Sequence, residues 1–161
     1  MIRMLKQGLH IQIANMKEFF ERSTRSLTEE DSGFAPKPEM FTAAQQIGHA
    51  AQTIDWFMDA AFSPSGFNMD FETMDKQVRA GTSIEAAKAW LEKAFAAADG
   101  IIDAHSEEEW SAPLPPGPIM GGAPKFSIFN ALTDHTAHHR GALTVYARLV
   151  GKVPPMPYMD M

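Results

Sequence analysis

Apolar residues recur at spacings of three and four in four stretches of the chain, a pattern typical of helices with one buried face. Proline, glycine and serine fall between these stretches, where they would end or precede a helix. The four predicted helices cover about 2–25, 41–62, 86–104 after an N-cap at Ser83, and 127–150. The pattern therefore predicts an all-α fold, a four-helix bundle with long crossover loops.

Two connections in this bundle are long. The first follows the second helix and contains Phe67, Met69, Phe71 and Met74, so we expect an irregular segment packed over the bundle. The second includes the proline-rich stretch 113–124, which favours an extended crossover and excludes helix. With 161 residues and 45% hydrophobic composition, the chain has the size of a single domain, predicted over 1–161.

Composition narrows the classes of partner and chemistry. The formal net charge is −6, and Lys and Arg do not cluster, which argues against binding to a nucleic-acid backbone. The chain has no cysteine, so disulfides, thiolate ligands and a cysteine nucleophile are excluded. No apolar run approaches the ~20 residues that a membrane span needs, and the N-terminus lacks a signal-peptide pattern. We expect a cytoplasmic protein without a membrane or nucleic-acid partner.

The fourth predicted helix carries the clearest candidate chemistry. At about 100° per residue, His135 and His139 lie on one stripe with Leu132 and Leu143, whereas His138 points about 100° away from His139. Two imidazoles four residues apart on one face can reach the same metal ion. His138 is expected near solvent, with Asp134 one turn earlier as its hydrogen-bond partner.

A third ligand would have to come from another helix, and His49 is the histidine within the second. It lies at the edge of that helix's apolar stripe, which suits a pocket. His10 and His105 lack a partner at ligand spacing and are expected to be surface or capping residues. Two core histidines that hydrogen-bond each other would give the same spacing as a metal pair, so spacing alone leaves both interpretations open.

Longer segments of the chain resemble a known family. The second helix reads TAAQQIGHAAQTIDWF around His49, and the fourth reads DHTAHHRGALTVYARLVGKVPP around His135 and His139. Together with the order of helices, these segments are similar to the DinB-like superfamily of metal-dependent enzymes. The resemblance implies a divalent metal held by His49, His135 and His139. Many members have glutamine where this chain has Ala142, so any contact made by that glutamine is missing.

The resemblance also implies a class of activity. Characterised relatives include thiol-dependent transferases and a thiol-dependent isomerase, and members are commonly homodimers. We therefore expect a small-molecule substrate, a low-molecular-weight thiol as cosubstrate, and a homodimer. Zinc or nickel is the expected metal, with iron or manganese as alternatives. The predicted function is a thiol-dependent transferase or a hydrolase. The alternatives are a noncatalytic metal-stabilised bundle and a small-molecule-binding sensor.

Several further residues are candidates for supporting roles. Gln46 and Tyr146 flank the histidines by one turn and are interpreted as groups that orient a bound nucleophile, with core packing as the alternative for Tyr146. Met156 and Tyr158 in the tail are predicted to wall the pocket. No carboxylate lies on the histidine stripe, so the sequence indicates no general base.

Overall fold

The computed structural model describes residues 4–160, which form an all-helical structure. Four helices have 20 to 22 residues, and two are shorter. In chain order they are α1 (Met4–Thr24), α2 (Ala43–Phe62), α3 (Phe71–Arg79), α4 (Ile84–Ala104), α5 (Glu107–Ser111) and α6 (Ile128–Leu149). The predicted all-α class and the four long helices are confirmed. Ile2, the predicted start of the first helix, lies outside the described residues.

The four long helices form a bundle in which α4 and α6 each contact both α1 and α2. Side-chain pairs show that α1 and α4 run antiparallel, because His10 bonds Asp99 near one end and Lys17 bonds Glu92 further along. Since α1 and α2 lie on a diagonal, the chain must cross one end of the bundle between them. This accounts for the length of the connection between α1 and α2, and the same holds for α4 and α6, which lie on the other diagonal. No helix within residues 4–160 is both long enough and apolar enough to cross a membrane.

Local side-chain chemistry fixes the helix ends. At the start of α2, Thr42 and Gln45 form a capping box in which each side chain accepts from the other's backbone N–H. The predicted N-cap of α4 is confirmed, since Ser83 accepts a hydrogen bond from the backbone N–H of Ala86. After α6 the chain turns at Gly151, whose φ of +80° lies in the left-handed region that glycine tolerates.

The core is one continuous cluster contributed by all four long helices. Helix α1 buries Leu9, Ile13, Met16 and Phe20, which is the stripe that its apolar spacing predicts. The largest fully buried side chains are Trp110, Phe20, Phe95 and Phe129. This cluster packs α2 and α6 firmly together. Polar residues on these two helices are therefore held in fixed positions.

The prediction for the connection 63–82 was wrong in one respect, because part of it is helix α3. Asp70 caps this helix by accepting from the backbone N–H of Thr73, and Val78 is its one buried residue. Phe67 packs edge-to-face against Trp56, as a segment lying over the bundle should. Phe71, in contrast, is 51% exposed. Besides the burial of Val78, α3 is joined to α2 by hydrogen bonds from the side chains of Gln45 and Gln52 to its backbone carbonyls.

The last crossover is anchored by helix α5, which the sequence pattern did not predict. Trp110 in this helix is fully buried and packs edge-to-face against Phe62 and Phe129. The proline-rich stretch 113–124 is non-helical, as predicted, and a single 3-10 turn at Lys125–Ser127 follows it. The crossover is thus pinned to the core before it reaches α6.

Candidate metal centre

Three histidines converge between α2 and α6. His135 and His139 lie one turn apart on α6, and His49 faces them from the middle of α2. The ring centroid of His49 lies 5.1 Å from that of His135 and 4.8 Å from that of His139. The centroids of His135 and His139 lie 4.3 Å apart. One ring nitrogen from each residue lies within 4.8 Å of the other two. These three side chains are positioned to bind a metal ion.

The spacing of the nitrogens fits a small divalent ion. Metal–nitrogen bonds of about 2.0–2.1 Å in a tetrahedral site place two ligand nitrogens about 3.3 Å apart. The Nε2 atoms of His135 and His139 are separated by 3.1 Å, close to that value. The longest nitrogen separation in the cluster, up to 4.8 Å, would need to shorten by about 1.5 Å to match it.

A hydrogen-bond relay fixes the protonation of His139. The hydroxyl of Tyr146 donates to the Phe41 carbonyl at 3.0 Å, so its oxygen can accept from the side-chain amide of Gln46 at 3.4 Å. That arrangement turns the Gln46 oxygen toward Nδ1 of His139, 2.5 Å away. Because an amide oxygen can only accept, Nδ1 must carry the proton. The lone pair of His139 is therefore on Nε2, the atom that faces His135.

The ring of His135 has hydrogen-bond partners at only one of its two nitrogens in the described part of the chain. Its Nε2 lies 3.5 Å from the hydroxyl oxygen of Thr53, whose own proton is donated to the His49 carbonyl at 2.9 Å. Its Nδ1 is buried and has no hydrogen-bond partner in the described part of the chain. A cation held at Nε2 would leave this Nδ1 without a partner, so the interaction gained at Nε2 has to offset the cost of burying it.

Burial keeps the three imidazoles neutral. It lowers the pKa of His139 to about 3 and that of His135 to about 4, and repulsion among the neighbouring histidines adds to both shifts. Burial also lowers the pKa of His49, although the carboxylate of Asp75 offsets part of this effect. Since metal ligation requires the unprotonated nitrogen, the cluster is ready to bind a cation at neutral pH.

A cavity of about 450 Å³ adjoins the histidines between α2, α3 and α6. His49 and His135 lie in its wall, whereas His139 lies behind them. Asp75 of α3 contributes a carboxylate to the same wall, and its Oδ2 accepts a hydrogen bond from Arg79 at 2.8 Å. A small molecule in this cavity would therefore contact two of the three candidate ligands.

The other three histidines, His10, His105 and His138, are not members of the three-histidine cluster. His138 is exposed, as expected, but within residues 4–160 no hydrogen bond joins it to Asp134. His105 is the C-cap residue of α4 and bonds Glu109, which agrees with the predicted capping role. His10 is only half-buried and bridges Asp99 and Asp103 of α4.

The supporting residues differ more from expectation. Gln46 contacts the candidate ligand His139, and Tyr146 contacts Gln46, so both groups act on the cluster through His139. Tyr158 packs against Phe19, and the Arg140 guanidinium lies 5.4 Å from the centroid of its ring. Tyr158 does not line the cavity, so the predicted role of this tail residue as a pocket wall is wrong. Met156 is likewise outside the lining of the cavity.

The carboxylate of Asp75 was missed because α3 was predicted as an irregular segment. Two acid–base pairs at i,i+4 spacing, Glu72 with Lys76 and Asp75 with Arg79, were the sequence signal that could have revealed this helix.

The sequence profile of the DinB superfamily matches residues 13–143, most of the chain. The chain belongs to the DinB superfamily. The match includes α2 and the part of α6 up to Leu143, and therefore all three histidines of the cluster. A comparison with curated proteins finds no match. Membership of the DinB superfamily and the three-histidine cluster are both compatible with metal binding.

Proposed function

We propose that this DinB-superfamily protein binds one divalent metal ion through His49, His135 and His139. The observation that carries the proposal is the pair of Nε2 atoms on α6, 3.1 Å apart, with the lone pair of His139 directed into the cluster by Gln46. Neutral imidazoles suit several transition metals, with zinc or nickel preferred and iron or manganese as alternatives.

We further propose that the site is catalytic, in a thiol-dependent transferase or a hydrolase acting on a small molecule. Closed structural zinc sites normally use four protein ligands, whereas three leave a position for water or substrate. When bound, the ion supplies Lewis acidity, which lowers the pKa of a water or a thiol brought to it. Because the chain has no cysteine, a thiol nucleophile must come from a low-molecular-weight cosubstrate.

The protein's own residues would orient the reactants. Gln46 holds the His139 ring in one tautomer, and the Thr53 hydroxyl contacts His135 at the cavity wall. In the described part of the chain, residues 4–160, Asp75 is the one carboxylate that lines this cavity. Arg79 donates a hydrogen bond to Oδ2 of Asp75. We assign the other oxygen of Asp75, Oδ1, as the atom that accepts the proton of the attacking group.

A noncatalytic metal-stabilised bundle is the second candidate. The observation that favours it is that all three histidines come from two adjacent core helices, so a bound ion would link α2 to α6. A small-molecule sensor would use the same site without turnover. Both alternatives predict a bound metal, so activity and ligand exchange must separate them from an enzyme.

Elemental analysis of protein purified without a polyhistidine tag tests metal binding. We expect about one divalent ion per chain in the wild type and in His138→Ala, and a severe loss in His139→Ala. The two variants remove neighbouring histidines of opposite exposure, so they are matched controls. Circular dichroism verifies that both are folded. Equal loss of metal from the two variants, or metal-free wild type after incubation with each ion, would contradict the proposal.

A screen of the metal-loaded protein tests catalysis. Thiol transfer to electrophilic small molecules and hydrolysis of esters and amides are the reactions to measure, with and without added thiol. Activity above that of His139→Ala supports the enzyme. A bound ion without an exchangeable ligand, together with no turnover, would instead favour the metal-stabilised bundle.

A further inference from the structure

The cavity beside the histidines has a strongly uneven wall. Its polar side lies at the candidate metal centre, and the rest is built from aromatic and thioether side chains of α2, α3 and the segment before α2. The apolar lining residues are Phe41, Trp56, Phe57, Phe71 and Met74. Its volume of about 450 Å³ is within the range of small-molecule sites. The occupant of this cavity must therefore be matched to an apolar surface.

The side-chain N–H donors of Gln52 and Trp56 in this wall are already committed to the protein. The indole N–H of Trp56 donates to the Asn68 carbonyl at 2.8 Å, so the indole offers its carbon face to the cavity. The side-chain nitrogen of Gln52 donates to the Met74 carbonyl and to the side-chain oxygen of Gln77. A substrate body in this region would find few free donors, which disfavours polar molecules such as sugars.

Charge leads to the same conclusion. Among residues 4–160 no lysine or arginine lines the cavity, so these residues offer no direct partner for a phosphate or a polycarboxylate. The carboxylate of Asp75 is paired with Arg79, whose guanidinium also lies 4.8 Å from the centroid of the Phe41 ring. This pair keeps the rim close to electrically neutral, as a neutral substrate body requires.

We propose that this cavity binds the apolar, aromatic body of an uncharged substrate, with a single polar group directed at His49 and His135. Phe71 and Trp56 would hold the body, since their rings are 5.9 Å apart and edge-to-face at the cavity wall. The inference rests on the proposed metal site and adds the substrate class. It makes Phe71, which is half-exposed, a specificity-determining residue.

The test compares two metal-binding probes that differ only in the apolar body. Acetohydroxamate and benzohydroxamate have the same chelating group, and isothermal titration of the metal-loaded protein measures the affinity of each. Burial of apolar surface contributes roughly fourfold in affinity for each methylene equivalent. We expect benzohydroxamate to bind at least ~10-fold more tightly than acetohydroxamate, beyond any preference the two show for the free metal.

Two variants locate the source of this preference. Phe71→Ala and Trp56→Leu should each reduce the preference for the phenyl group severalfold while the affinity for acetohydroxamate is unchanged. Tyr158→Ala is the matched control, because Tyr158 is an exposed aromatic outside the cavity. Circular dichroism and metal content verify that each variant is folded and loaded.

The outcomes separate this inference from the proposed function. Acetohydroxamate binding without a phenyl preference, or a preference that both cavity variants retain, would overturn the substrate class and leave the metal site intact. A protein that holds no metal, or a loaded protein that binds neither probe, would show that the proposed open metal site is wrong and would overturn the inference with it.

Discussion

Nδ1 of His139 on α6 lies 2.5 Å from the side-chain oxygen of Gln46 on α2, although the two residues are 93 positions apart in the chain. This hydrogen bond joins His139 of α6 to α2, the helix that contributes His49 to the site. It sets the tautomer of His139 and aligns its Nε2 with His135. Such outer partners commonly govern both the orientation and the basicity of metal-binding histidines.

Gln46→Leu should therefore weaken metal binding while leaving all three histidines in place. The variant removes the acceptor for His139 Nδ1–H, and loss of such an outer partner typically costs 10–100-fold in metal affinity. Competition with a chromophoric chelator measures the change. Gln7→Leu on the exposed surface of α1 is the matched control and should behave as the wild type. Unchanged affinity in Gln46→Leu would show that the hydrogen bond does not position the ligand.

Tyr146→Phe tests the next member of the same relay. The phenol hydroxyl donates to the Phe41 carbonyl and accepts from Gln46, whereas the buried ring remains in the variant. We expect a loss of about 1 kcal/mol in the free energy of unfolding, measured by urea denaturation of the metal-free protein. Metal affinity should fall less than in Gln46→Leu, because Gln46 still contacts His139. A larger fall in Tyr146→Phe would contradict the order of the relay.

The sequence predicted the elements that have a long apolar stripe. Helices α1, α2, α4 and α6 each repeat buried residues over about four turns or more, so their periodicity was readable without knowledge of their neighbours. Helix geometry also placed His139 inward and His138 outward. The position of His49 depended on a family resemblance, because spacing within one helix says nothing about which residue of another helix faces it.

The remaining features depend on tertiary packing. Helix α3 has nine residues and buries only Val78, so it lacks the repeated apolar spacing that marks the bundle helices. The contact between Gln46 and His139 depends on how α2 and α6 are rotated relative to each other. Neither the cavity nor the carboxylate of Asp75 could be placed at the site without the position of α3. These are properties of the assembled fold.

Trp110 should contribute strongly to stability even though it lies outside the bundle helices. It is fully buried against Phe62 and Phe129 and holds the crossover before α6. Trp110→Ala should lower the free energy of unfolding by about 3–5 kcal/mol, because it leaves a large cavity in the core. Urea denaturation measures this loss, and Trp110→Phe should lose less. A loss below about 1 kcal/mol in the alanine variant would show that the crossover is not anchored through this side chain.

His10 connects α1 to α4 through two carboxylates. Its Nδ1 lies 2.8 Å from Asp99 and its Nε2 lies 3.0 Å from Asp103, while Lys6 bonds the Asp103 carbonyl nearby. The hydrogen bond to Asp99 is the largest cause of a raised pKa for His10, with burial acting against it and Asp103 adding to it. An imidazolium can donate from both nitrogens at once, so the protonated form fits this arrangement.

The stability supplied by His10 should consequently depend on pH. Because its pKa is higher in the folded than in the unfolded chain, the contribution is complete below the unfolded value of about 6.5 and disappears as pH rises through the folded pKa. His10→Gln should thus destabilise the metal-free protein at pH 5.5 and have a smaller effect at pH 9, by urea denaturation at each pH. The difference should shrink in an Asp99→Asn background. A destabilisation that is equal at both pH values would exclude the charged pair.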